Sequence, residues 1–81
     1  MSDRLRVFLV DDHDVARAGA RHYLEHRFDI VGESDNAIDA SEMILDRRPD
    51  VVLLDVRLPG GGGAYVVEQV RSANPEIRFL A

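Results

Sequence analysis

The sequence contains no cysteine, no lysine and no long apolar run. Without cysteine, disulfides, thiol catalysis and cysteine-ligated zinc sites are excluded. Without lysine, the 10 side chains that carry a positive charge at pH 7 are all arginine, and the net charge of −5 argues against non-specific attraction to nucleic acid. The apolar run at the start is too short for a signal peptide or a membrane span. We therefore expect a cytoplasmic protein with no membrane contact.

The length of 81 residues predicts one small domain, residues 1–81. A chain of this size buries only about 60–65% of its unfolded surface, so its core is small. The composition, with 46% hydrophobic and 31% charged residues, is typical of a folded globular protein rather than a disordered one.

Short apolar segments alternate with amphipathic ones along the chain. The amphipathic segments predict three helices, the first with an N-cap at Asp14, the second stopped by Pro49 and the third stopped before Pro75. The order β-α-β-α-β-α-β predicts a parallel sheet with helices on both faces. The four predicted strands are Leu5–Val10, Phe28–Glu33, Val51–Leu54 and Ile77–Ala81.

Acidic residues follow the first and third predicted strands. Asp11 and Asp12 end the first, and Asp55 ends the third. An Asp after a strand is common in turns, which is the simpler explanation for any one of them. If the two strands are neighbours, however, three carboxylates converge at the carboxyl edge of the sheet, where ligands bind in such folds. Oxygen ligands of this kind favour a Mg²⁺ site.

Two stretches, FLVDDHD (Phe8–Asp14) and PDVVLLDVRLPGGGG (Pro49–Gly63), resemble the signatures of the response-regulator receiver domain. The acid pair, the single Asp, the LP and the following glycine occur at the spacing of that family. His13 and the DVRLP segment are most similar to the NarL/FixJ subfamily, which has a LuxR-type output. The resemblance implies a flavodoxin-like doubly wound parallel sheet of order 2-1-3-4-5, here truncated after the fourth strand.

The resemblance also implies a function. Asp55 would accept a phosphoryl group from a cognate sensor histidine kinase, with Mg²⁺ held by Asp11, Asp12, Asp55 and the backbone carbonyl of Arg57. Such a module catalyses only its own phosphorylation and dephosphorylation and is not a turnover enzyme. Control of DNA would pass through a C-terminal helix-turn-helix domain. His13 receives no role from the resemblance.

Several family features have no counterpart in the sequence. Receiver domains have five strands and five helices, a switch Thr or Ser, and a lysine after the fifth strand. We therefore expect an incomplete receiver domain, without the fifth strand, the last two helices and the DNA-binding domain. Gly62 stands where the family often has a helix-capping side chain. The exposed fourth strand predicts self-association as a dimer.

Other functions are compatible with parts of the sequence. HYLEH (His22–His26) fits the H-x-x-E-H pattern of a zinc protease, but no third ligand is evident. The glycine run completes no nucleotide-binding pattern. The alternative of another class is a truncated assembly fragment that pairs through its sheet without phosphotransfer.

Overall fold

The computed structural model of the protein describes residues 4–55 and 57–81. These residues form one parallel sheet of four strands with helices on both faces, which confirms the predicted fold class. The elements are β1 (Arg6–Val10), α1 (Asp14–Leu24), β2 (Asp29–Ser34), α2 (Ala37–Arg47), β3 (Val51–Leu54), a 3-10 turn (Pro59–Gly61), α3 (Gly62–Ala73) and β4 (Arg78–Leu80). The strands lie in the order β2-β1-β3-β4.

The helix ends follow the local sequence, with two differences of one residue. The side chain of Asn36 caps α2 by accepting a hydrogen bond from the Asp39 amide at 2.9 Å. The N-cap of α1 is His13, so Asp14 is the first residue of that helix rather than its cap. The N-cap of α3 is Gly61 rather than Gly62. Neither His13 nor Gly61 makes a side-chain capping bond.

The core lies between the sheet and the pair α2 and α3. On this face, apolar side chains from β1 and β3 meet those of the two helices. The burial of these side chains supplies most of the driving force for folding. The fully buried large residues are Phe8, Val10, Ile44, Val52, Val66 and Val70.

Of the elements that the structure describes, only α1 covers the opposite face, and none of its side chains is fully buried. The apolar side chains of this amphipathic helix are therefore only partly buried: Val15 and Tyr23 are 87% and 80% exposed. Val15 and Leu24 are nine positions apart, roughly two and a half turns, and so lie on opposite sides. An apolar cavity of about 190 Å³ lies beside the half-buried Leu24. It is lined by Leu5, Val7, Leu24, Phe28, Val51, Leu53 and Leu80.

Gly32 marks an irregularity in the pairing of β1 with β2. The register shifts between Val7 and Phe8, which pair with Ile30 and Gly32, so β2 holds one extra residue. A Cβ at Gly32 would lie 2.6 Å from Cε2 of Phe8, in the core. The glycine therefore allows the aromatic ring to pack directly against the backbone of β2.

Candidate metal centre

The parallel ladder extends one residue past the strands and fixes the two acidic segments side by side. The Asp55 amide donates to the Val10 carbonyl at 2.9 Å, and the Asp11 amide donates to the Ser34 carbonyl at 3.1 Å. The carboxyl ends of β1 and β3 are therefore neighbours, as the prediction required. The backbone itself brings Asp11 and Asp55 to the same edge of the sheet.

Asp11, Asp12, His13 and Asp55 form one cluster at this edge. Each offers a ligand atom, and the four atoms all lie within 4.8 Å of one another. The three acids predicted from the sequence are thus brought together. His13, to which the resemblance assigns no role, lies among them. Its Nδ1 is 3.0 Å from Asp12 Oδ1, 3.4 Å from Asp11 Oδ1 and 3.8 Å from Asp55 Oδ2.

The two carboxylate oxygens of Asp55 have different surroundings. Oδ1 accepts hydrogen bonds from the backbone amide of Arg57 at 2.9 Å and from its Nε at 3.3 Å. Oδ2 is buried and accepts no hydrogen bond from any residue in the described ranges. The hydrogen bond from the Arg57 amide is the main cause that holds the pKa of Asp55 below its ordinary value. The carboxylate is therefore ionised. Its Oδ1 is held by hydrogen bonds, and its buried Oδ2 has no hydrogen-bond donor among the described residues.

Asp11 repeats the backbone pattern of Asp55. Its Oδ1 accepts from the amide of His13, two residues on, at 2.8 Å. Both acids therefore orient the turn that follows them, as Asp does in the turns the simpler explanation invoked. That role uses one oxygen of each acid. It does not account for the buried free oxygen of Asp55.

Arg17, on the second turn of α1, supports the cluster from outside. Its side chain, only 15% exposed, donates to the Asp11 carbonyl at 2.6 Å, to Asp14 at 2.8 Å and to Glu33 at 2.9 Å. These bonds join the loop after β1 to α1 and β2. Arg17 could not be predicted as a site residue, because nothing in its spacing distinguishes it from other helix-surface arginines.

A cavity of about 260 Å³ opens beside Asp55. It is lined by Asp11, Arg17 and Arg57 together with apolar side chains of β1, β3 and β4. A larger cavity of about 540 Å³ lies at the amino ends of the strands, next to Asp50 and away from the acidic cluster. The chemistry of the carboxylates, rather than cavity size, places the site at the carboxyl edge.

The remaining predicted groups have different outcomes. The backbone amide and side chain of Arg57 contact Asp55, and the role of its carbonyl as a metal ligand stays a prediction. His22 and His26 meet edge to face with ring centroids 5.9 Å apart. Within residues 4–55 and 57–81, the group of at least three candidate metal ligands lies around Asp55 and does not include His22 or His26. The positive φ angles of the glycine run fall at Gly60 and Gly61, so these two positions of the turn favour glycine.

The donor set fits a divalent cation. Three carboxylates within a few ångströms repel one another unless a cation joins them. Carboxylate oxygens are the ligands that Mg²⁺ prefers, and Mg²⁺ keeps several waters beside them. The buried Oδ2 of Asp55, which has no hydrogen-bond donor among the described residues, is a polar atom that such a cation would satisfy.

Comparison with known proteins agrees with the resemblance seen in the sequence. Residues 7–81 match the family model described as the response regulator receiver domain. The chain is 41% identical over 78 residues to the DNA-binding transcriptional activator DevR/DosR of Mycobacterium tuberculosis, covering 94% of this chain and 36% of that protein.

Two solved structures share the fold. A LuxR-family two-component response regulator from Aurantimonas sp. has a TM-score of 0.87 and 33% identity, over 95% of this chain and 56% of that one. The signal receiver domain of NarL from Mycobacterium tuberculosis has a TM-score of 0.80 and 38% identity, over 95% and 63%. The chain thus spans about a third of its curated relative. No helix within the described ranges is long and apolar enough to cross a membrane.

Proposed function

The chain belongs to the response regulator receiver domain family, and on that premise we propose that Asp55 accepts a phosphoryl group from a phosphohistidine of a sensor histidine kinase. The observation that carries the proposal is the environment of Asp55. Its carboxylate is fixed through Oδ1, its Oδ2 is buried without a donor among the described residues, and two further carboxylates face it. A residue that only shaped a turn would not need this arrangement.

The transfer forms one bond and breaks another. A carboxylate oxygen of Asp55 attacks the phosphorus, the new O–P bond gives an acyl phosphate, and the P–N bond to the kinase histidine breaks. The electron pair of that bond returns to the imidazole, which takes up a proton. Such a reaction needs in-line positioning and charge neutralisation more than acid–base catalysis. The chain contributes positioning through the amide of Arg57, which fixes the Asp55 carboxylate.

Mg²⁺ would be held by Asp11, Asp12 and Asp55, with the Arg57 carbonyl as a further ligand. When bound, Mg²⁺ supplies the positive charge that offsets the carboxylates and the incoming phosphoryl oxygens. The backbone ladder and the turn at His13 hold the carboxylates of Asp11 and Asp12 within ligand distance of Asp55. The module acts on itself and would not turn over a separate substrate.

The wider role follows from the relatives. We place residues 1–81 as the phosphoacceptor part of a transcription regulator, with DNA contact made by a C-terminal helix-turn-helix domain outside this chain. The match to a DNA-binding activator supports this assignment. A module that exchanges phosphoryl groups with a sensor kinase would work in the cytoplasm. The alternative, an assembly fragment without phosphotransfer, accounts for the exposed sheet edge but not for the acidic cluster.

Labelling with a small phosphodonor tests the proposal. We expect incubation of the protein with acetyl phosphate and Mg²⁺ to add one phosphoryl mass, seen by intact-mass spectrometry and removed by hydroxylamine. Asp55→Asn should abolish the label, because the amide is not a nucleophile of this kind. Asp12→Ala should suppress it by weakening metal binding.

Matched variants separate the site from the rest of the surface. Asp46→Asn removes a carboxylate from α2, away from the acidic cluster, and should leave the label intact, as should His22→Ala and His26→Ala. Label that persists in Asp55→Asn, or that forms equally well without Mg²⁺, would contradict the proposal.

A further inference from the structure

The imidazole of His13 points into the acidic cluster although its side chain is 61% exposed. Its Nδ1 lies 3.0, 3.4 and 3.8 Å from one oxygen each of Asp12, Asp11 and Asp55. The backbone directs it there, because the His13 amide is bonded to Asp11 Oδ1 and its carbonyl begins α1. The ring therefore faces the position where a cation between the carboxylates would lie.

These distances match the spacing of ligands around one metal ion. With metal–ligand bonds of about 2.1 Å, neighbouring ligand atoms are about 3.0 Å apart in octahedral and about 3.4 Å apart in tetrahedral geometry. The Nδ1 of His13 already has this spacing to Asp12 and Asp11. Independently, Asp55 Oδ2 is buried in a side chain only 8% exposed, and it accepts no hydrogen bond from the described residues. That oxygen is a buried polar atom on the same side that a bound cation would satisfy.

A nitrogen donor changes which metals the site prefers. Mg²⁺ is bound through oxygen, whereas imidazole is a good ligand for the later first-row metals such as Co²⁺, Ni²⁺ and Zn²⁺. We propose that His13 Nδ1 is a fourth ligand of this site for such metals, joining the carboxylates of Asp11, Asp12 and Asp55. The inference rests on the proposed function only in using the same three carboxylates. The site would then hold a late transition metal more tightly than Mg²⁺.

A competing explanation treats the His13 ring as a positive charge that offsets the carboxylates. Under that explanation the ring competes with any divalent cation, and its removal strengthens the binding of Co²⁺ and Mg²⁺ alike. As a ligand, in contrast, its removal weakens Co²⁺ binding and leaves Mg²⁺ binding unchanged. The two explanations therefore predict opposite effects on the same metal.

The test uses Co²⁺, whose visible absorption reports its ligands. Because the sequence has 3 histidines, a His22→Ala, His26→Ala background leaves His13 as the single imidazole. In that background Co²⁺ and Mg²⁺ are titrated at constant pH by calorimetry and, for Co²⁺, by absorption. His13→Ala should lower the Co²⁺ affinity by about tenfold or more and change the visible spectrum.

His13→Ala removes no helix cap, because the His13 side chain makes no capping bond, and circular dichroism checks that the fold is kept. Asp55→Asn should lower the affinity for both Co²⁺ and Mg²⁺, which would show that the two metals bind in one site. Co²⁺ affinity that is unchanged or raised in His13→Ala would overturn the inference. Failure of Mg²⁺ to bind the background protein would count against the proposed function alone, since the Co²⁺ comparison is measured separately.

Discussion

Replacing Arg17 by alanine should destabilise the protein by loosening the loop that carries the acid pair. Its guanidinium joins three segments through hydrogen bonds to the Asp11 carbonyl, Asp14 and Glu33. The change removes all three bonds and the packing of the side-chain stem. Arg17→Met keeps most of the stem and so isolates the loss of the polar contacts.

The size of the effect follows from the exposure of the partners. Asp14, with its side chain 81% exposed, regains water and contributes little. The bonds to Glu33, 30% exposed, and to the Asp11 carbonyl are better protected. With about 1 kcal/mol for a typical hydrogen bond and somewhat more for a charged one, Arg17→Ala should lower the free energy of unfolding by roughly 2 kcal/mol. That corresponds to a fall in Tm of about 8–16 °C.

The loss should depend on pH. Hydrogen bonds from Arg21 and then Arg17 hold the pKa of Glu33 below its ordinary value. The folded protein therefore binds this proton less readily than the unfolded chain, so the stabilisation is complete above the unfolded pKa of about 4.3. It is lost as the pH falls through the lower, folded pKa. The difference between the native protein and Arg17→Ala should narrow on acidification.

Urea unfolding followed by circular dichroism, at one protein concentration and at pH 7 and pH 3.5, measures both effects. The fixed concentration matters because association would add to the apparent stability. Arg17→Lys, with one charged group in place of the fork, should recover only part of the loss. A difference below about 0.5 kcal/mol at pH 7, the range of ordinary surface changes, would refute the reasoning, as would one that grows on acidification.

Two further predictions concern packing and association. Gly32→Ala should destabilise the protein by about 1–3 kcal/mol, because the new Cβ meets the Phe8 ring. Gly19→Ala, with open space around it in α1, should stabilise the protein by about 0.5–1 kcal/mol. Urea unfolding measures both changes, and equal effects of the two substitutions would contradict the packing argument. The edge strand β4, with Leu80 58% exposed, should drive association of the protein. Light scattering should therefore show a molar mass that rises with protein concentration, and the rise should be smaller for Leu80→Lys. A monomer at every concentration would contradict this prediction.

The fold could be predicted from the sequence because its signals are local and repeated. Val51–Leu54 is apolar throughout, as expected for a central strand. Helix α2 ends just before Pro49, and the backbone of its C-cap residue Arg48 has the left-handed conformation. The juxtaposition of Asp11 and Asp55 followed from strand order, since parallel neighbours share an edge. These features depend on periodicity and topology, which a sequence carries directly.

Other features depend on side-chain direction, which the sequence does not carry. The resemblance gives His13 no role, and only the turn fixed by Asp11 directs its ring towards the carboxylates. Arg17 gained its role from the approach of β2, which supplies Glu33. The amphipathic pattern of α1 did not show which of its apolar residues would be buried, because an apolar residue on a helix need not face the sheet, as Val15 shows.

The uneven covering of the sheet has a consequence for amide hydrogen exchange. The core between the sheet and α2 and α3 should open only when the whole molecule unfolds, so the amides of β1 and β3 should exchange slowest. Helix α1, with no fully buried side chain among its described residues, should open on its own and exchange faster. Asp55 would then keep its place through each opening of α1, while Arg17 would release the Asp11 carbonyl and bind it again. The position of Asp55 in the site would therefore stay the same, whereas the bond from Arg17 to the Asp11 carbonyl would form again each time α1 closes.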